Sequence, residues 1–92
     1  MSDNFVHYDL GYLGAGSAVE IVLSSRANVR LLDGSNFDAY RSGRNYSSHG
    51  GEAVRSPLVV DIPHAGHWHI AIDLGGASGQ IRSSARVLTA TA

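Results

Sequence analysis

The chain has 92 residues, 43% of them hydrophobic, with seven arginines and no lysine set against eight acidic residues, for a net charge of −1. At this length one domain spanning residues 1–92 is expected. The balanced charge argues against a disordered chain and against nucleic acid as partner, which needs a net basic face. Without cysteine there is no disulfide or thiolate chemistry, and no run approaches the roughly 20 apolar residues of a membrane helix.

Met1 to Leu10 has neither the basic start nor the apolar stretch of a secretory signal, so the cytoplasm is the expected location. Segments of alternating hydrophobicity recur at short intervals between glycine-rich turns, which predicts an all-β antiparallel sandwich, jelly-roll-like in its winding. Asn4 to Leu10 alternates weakly, and Gly11, Gly14 and Gly16 break the chain. Ala18 to Leu23 follows, with Val19, Ile21 and Leu23 on one face, and Asn28 to Leu32 repeats the pattern with Val29 and Leu31. If these two strands form a hairpin, Leu23 opposes Val29, Ile21 opposes Leu31, and Glu20 lies diagonally near Arg30.

One short helical turn is expected near Phe37, capped by Ser35, running Asn36 to Arg41 and stopped by Gly43. It sets Phe37 and Tyr40 on one side. Arg44 to Gly51 reads as a loop with room for a short strand through Tyr46. Leu58 to Ile62 is a strand between Pro57 and Pro63, and Pro63-His64-Ala65-Gly66 is a turn. His67 to Leu74 alternates strictly: Trp68, Ile70, Ile72 and Leu74 face the core, with His67, His69, Ala71 and Asp73 on the other face. A second turn, Gly75 to Gly79, leads to a last strand, Gln80 to Leu88. Pairing these two strands as a hairpin sets Asp73 opposite Arg82 and His69 opposite Arg86.

Several stretches taken together resemble one family. They are His7-Tyr8-Asp9-Leu10-Gly11, Ser35-Asn36-Phe37, Tyr40-Arg41-x-Gly43-Arg44, Gly50-Gly51, Ser56-Pro57, Ile62-Pro63, Gly66-His67-Trp68-His69, Asp73, and Arg82-Ser83-Ser84-x-Arg86-Val87. The chain resembles the bacterial family named domain of unknown function 1883 over nearly its whole length. The resemblance implies no activity. Members that stand alone or are fused to a Toll/interleukin-receptor domain imply a sensing or interaction module. A looser similarity, to the C-terminal jelly-roll domains of secreted proteases, rests on Leu13-Gly14-Ala15-Gly16 before Val19-Glu20-Ile21 and on Pro63-His64-Ala65-Gly66 before His67-Trp68-His69-Ile70. It bears on fold alone.

Three constellations are candidates for chemistry. His67 and His69, at i and i+2 of a strand, share a face and can ligate one metal, with His64 as a further donor. The order His-x-His-x-x-x-Asp is similar to the first metal motif of cupins, but cupins usually have Glu there and a second histidine motif downstream. Asp73 is also about 13 Å from His69 along an extended strand and is expected to pair with Arg82. The competing reading stacks both histidines on cross-strand neighbours.

The second candidate is the polar segment containing Asn36, Asp38, Tyr40, Arg41, Arg44, Tyr46, His49 and Glu52, whose tyrosines and arginines suit recognition. The alternative has Phe37, Tyr40 and Tyr46 plugging an open end of the sandwich. The third is an anion-binding face of Arg82 and Arg86 with His67 and His69, against a plain solvated face. Nucleophilic catalysis is disfavoured, because there is no cysteine and no Gly-x-Ser-x-Gly elbow.

The expected function is a non-catalytic binding, interaction or sensing module. Its binding residues are Tyr40, Arg41, Arg44, Tyr46, His49, His67, His69 and Arg86, and its partner is a protein or a small polar or anionic ligand. The alternative is a small cupin-like metal-binding protein using His67 and His69. The first reading implies no cofactor and the alternative a divalent transition metal, and edge-strand pairing allows a homodimer.

Overall fold

The computed structural model describes residues 5–75 and 81–88. Within them the chain forms β1 (Phe5–Leu13), β2 (Ala18–Leu23), β3 (Ala27–Asp33), α1 (Gly34–Arg41), β4 (His49–Ala53), β5 (Leu58–Asp61), β6 (Gly66–Asp73) and β7 (Ser83–Leu88). Two antiparallel sheets result, a four-stranded one in the order β1-β6-β3-β4 and a three-stranded one in the order β5-β2-β7.

The alternation read from the sequence decides which side chains enter the space between the sheets. Val19, Ile21 and Leu23 from β2 meet Val29 and Leu31 from β3 and Trp68, Ile70 and Ile72 from β6, and Leu13, Ala27, Ala53 and Ile62 complete the core. The Trp68 indole N–H donates to the carbonyl of His64 at 3.0 Å, so the largest core side chain is also tied to the turn that starts its own strand.

The outer face of the four-stranded sheet carries a second, smaller core. Helix α1 lies on it, burying Phe37 against Leu32 and Ala71, with Phe5, Tyr40 and Tyr46 packed around them. This covering layer explains why β6, with β1 on one side and β3 on the other, is buried at every position from Trp68 to Asp73. The helix starts where the Asp33 carboxylate accepts the Asn36 N–H at 2.9 Å. The cap is therefore Asp33 rather than the expected Ser35, whose hydroxyl instead donates to Asp33. Gly43, at φ 76°, follows the C-terminal end as expected.

The strand partners differ from the two expected hairpins. β2 pairs with β5 and β7, not β3, and β6 pairs with β1 and β3, not β7. Alternation selects a face but not a partner, and long-range pairings separate these consecutive strands into different sheets. Glu20 consequently accepts a hydrogen bond from Arg86 at 2.8 Å rather than lying near Arg30. Arg30 instead donates to Asp73 at 2.8 Å, where Arg82 was expected. The strand expected through Tyr46 begins at His49 instead. The turn expected at Gly75 to Gly79 and the start of the last strand at Gln80 fall mostly on residues 76–80, outside the described residues.

Candidate functional site

The site grows out of the pairing of β1 with β6. His67 and His69 occupy the outward positions of β6, as their spacing requires. The register sets Asp9 opposite His69 and His7 opposite Ala71, so His7 and Asp9 share that outer face. Between Asp9 and Gly11 the register slips by one residue, a β-bulge at Leu10. Gly11 sits at φ 74°, a conformation that suits glycine, and a Cβ there would touch nothing within 4 Å, so the constraint is in the backbone. The same residue donates its N–H to Asp9 Oδ1 at 2.9 Å. Thus oriented, Asp9 Oδ1 also accepts from His67 Nε2 at 2.6 Å.

The neighbouring histidines form a stack that α1 holds in place. Phe37 lies 4.1 Å from the ring of His7 and 4.6 Å from that of His69, inclined by 18° and 11°. His67 stacks on His69 at 4.8 Å. His7 Nε2 and His69 Nδ1 are hydrogen-bonded at 2.9 Å. Burial is the main influence that lowers the pKa of both His7 and His69, outweighing the attraction of Asp9. Both rings are thereby biased toward the neutral form, in which imidazole nitrogens have a lone pair to offer. Asp9 is held below the ordinary carboxylate range, chiefly by the hydrogen bond from His67 and next by that from Gly11.

One ligand atom from each of Asp9, His67 and His69 lies within 4.8 Å of the others. Asp9 and His67 are exposed and His69 is buried, so the trio straddles the border between the part of the sheet that α1 covers and the part it leaves open. Its oxygen and two imidazole nitrogens are ligand types that first-row divalent metals use.

The other residues singled out from the sequence lie elsewhere. His64 is on the turn before β6, its ring 5.0 Å from Trp68 and its Nδ1 3.1 Å from the Ala65 carbonyl; it is not in the trio. His49, on β4, approaches Trp68 at 5.9 Å. Arg86 lies in the three-stranded sheet, so the expected face joining it to His67 and His69 does not form. Tyr40 and Tyr46 do not plug an end of the sandwich. They pack edge to face over the outer sheet, each about 5.7 Å from the Arg30 guanidinium.

The Tyr40 hydroxyl donates to Asp73 at 2.6 Å, and its pKa is raised, first by burial and then by that bond. Arg41 pairs with Asp38 at 3.2 Å and lies over Phe37, while Arg44 is exposed beyond the helix end. Asn36 accepts from the Ser47 N–H, and Glu52 pairs with Arg26 at 3.4 Å.

The sequence reading of the site lacked Asp9 and His7. They lie 58 and 62 residues from their hydrogen-bonding partners, on a strand whose alternation is weak. One signal was present: His7-x-Asp9 and His67-x-His69 are both polar pairs at i and i+2, the spacing that puts two side chains on one strand face.

Fold and site together define a two-sheet β domain with a histidine–carboxylate cluster on its outer face. Compared with known protein families, residues 3–91 match the one described as Domain of unknown function (DUF1883). The chain belongs to that family, as the resemblance implied. No curated protein and no solved structure matches it. Among the described residues, no helix is long and apolar enough to cross a membrane.

Proposed function

We propose that this domain is a binding module whose ligand is a divalent transition metal, held by Asp9 Oδ1, His67 Nε2 and a ring nitrogen of His69. The observation that carries this reading is the convergence of the three ligand atoms to within 4.8 Å of one another. A tetrahedral metal with bonds of about 2.1 Å places its donors roughly 3.4 Å apart. Reaching that spacing requires Asp9 and His67, the two exposed side chains, to open from their 2.6 Å hydrogen bond. Three protein donors leave further coordination positions for water or an external ligand. Zinc, nickel and copper(II) all accept two imidazoles and a carboxylate. We read the scaffold as a jelly roll, on the support that, β3–β4 apart, strands adjacent in each sheet are three or more strands apart in chain order.

The competing reading is a surface ion pair, Asp9–His67, beside a packed histidine. Such a solvent-exposed pair contributes little to stability and needs no metal. The two readings separate in a zinc titration of untagged protein followed by calorimetry. The metal reading predicts one zinc per chain, with affinity at least tenfold weaker in Asp9→Asn and in His67→Ala, both folded like the parent. Absence of saturable binding, or equal binding by these variants, would overturn it.

A further inference from the structure

We infer that His7 is a positioning residue for this metal site: it accepts the Nδ1–H of His69 and so leaves His69 Nε2 unprotonated as the ligating nitrogen. The inference rests on the metal-binding reading and adds to it the residue that decides which face of His69 meets the metal.

The hydrogen bond between His7 Nε2 and His69 Nδ1, at 2.9 Å, needs one proton and one lone pair. Two arrangements of neutral rings satisfy it. In the first, His69 donates from Nδ1, His7 accepts at Nε2, and His69 Nε2 keeps its lone pair. In the second, His7 donates, and His69 carries its proton on Nε2, where it would have to be lost before that nitrogen could bind a metal. Asp9 Oδ1 is already engaged by His67 and by the Gly11 N–H. Among the described residues, the hydrogen bond made by the ring of His69 is the one to His7. Each arrangement leaves one ring N–H without a protein partner: in the first it is the Nδ1–H of His7, an exposed residue where water can accept it, and in the second the Nε2–H of His69, which is nine-tenths buried, so the first is favoured.

Metal-ligating histidines characteristically donate their second ring N–H to an acceptor that fixes tautomer and orientation, and loss of that acceptor costs 10–100-fold in metal affinity. Here the acceptor is another imidazole, and packing holds the pair together. Phe37 lies nearly parallel to both rings, 4.1 Å from His7 and 4.6 Å from His69. The ring of His7 cannot turn away without losing that stack.

The test has two arms. Long-range 1H–15N correlation on metal-free, 15N-labelled protein at pH 7.5 reads the tautomer of His69 directly. The expected spectrum shows Nδ1 protonated and Nε2 bare; an Nε2–H tautomer would overturn the inference even if zinc binds. Zinc titration of His7→Phe, which keeps an aromatic ring beside Phe37 but has no acceptor, is expected to give 10–100-fold weaker binding with an intact fold. His7→Gln, whose side-chain oxygen accepts, is expected to recover most of the loss. Unchanged affinity in His7→Phe would overturn the positioning role while leaving the metal site standing. Failure of the unmodified protein to bind zinc, with the expected tautomer present, would instead remove the metal reading beneath it.

Discussion

Asp73 is about nine-tenths buried on the outer face of the four-stranded sheet and receives hydrogen bonds from Asn28, Arg30, Tyr40 and the Gly75 N–H, at 2.6 to 2.9 Å. Burial is the largest single influence on this carboxyl and would raise its pKa, but the four donors together outweigh it and hold the group at about 2. Because the folded value lies below the unfolded one, the ionised group contributes stability at pH values above about 4. That contribution is lost as the pH falls from about 4 toward about 2. Urea unfolding of the parent and of Asp73→Asn between pH 2 and 7 is expected to show a gap that narrows over this range. At pH 7 Asp73→Asn is expected to cost about 2–3 kcal/mol, because Arg30 and Tyr40 lose a charged acceptor. Tyr40→Phe keeps the ring contacts with Phe5 and Tyr46 and is expected to cost about 1.5–3 kcal/mol, the net worth of a hydrogen bond to a charged group. A pH-independent gap would show that Asp73 acts by shape and not by charge.

Among the elements, what could be read in the sequence was what depends on local order. Val19, Ile21 and Leu23, or Trp68, Ile70 and Ile72, declare their inward faces by period alone, and the helix near Phe37 declares itself by a polar cap and a terminal glycine. Which strands lie side by side depends on contacts far apart in the chain, so β2–β7 and β1–β6 were hidden behind two apparently natural hairpins. The same cause divided the site: His67 and His69 were visible as a pair on one strand, while Asp9 and His7 became visible only with the register of β1. The bulge that aims Asp9 gives an element-scale prediction. Gly11→Ala has room for its Cβ but not a favourable φ, and is expected to cost about 1 kcal/mol and to weaken zinc binding. At Gly50, φ is 99° and a Cβ would stand 2.6 Å from the Val29 carbonyl oxygen, so Gly50→Ala should loosen β4. Its expected cost is larger than that of Gly11→Ala, with zinc affinity unchanged. Unfolding curves and zinc titrations of the two variants check both orders.

For the molecule as a whole, the two layers and the helix explain how a small domain can offer a site on the outside of a sheet. The sheets use their inner faces for the main core, α1 closes part of the outer face, and the Asp9–His67–His69 cluster lies where that cover ends. On the proposed reading, a metal that binds there and not to the unfolded chain is expected to stabilise the fold by about 2.7 kcal/mol at a hundredfold excess over Kd. The most direct measurement is a zinc titration of the 15N-labelled protein, with the shift of every backbone amide and histidine ring followed. The account predicts saturation at one equivalent, with shifts concentrated at residues 7–12 and 66–70 and at the rings of His67 and His69, while His49 and His64 stay in place. Saturation centred on His49 or His64, or spectra that zinc leaves unaltered, would contradict it.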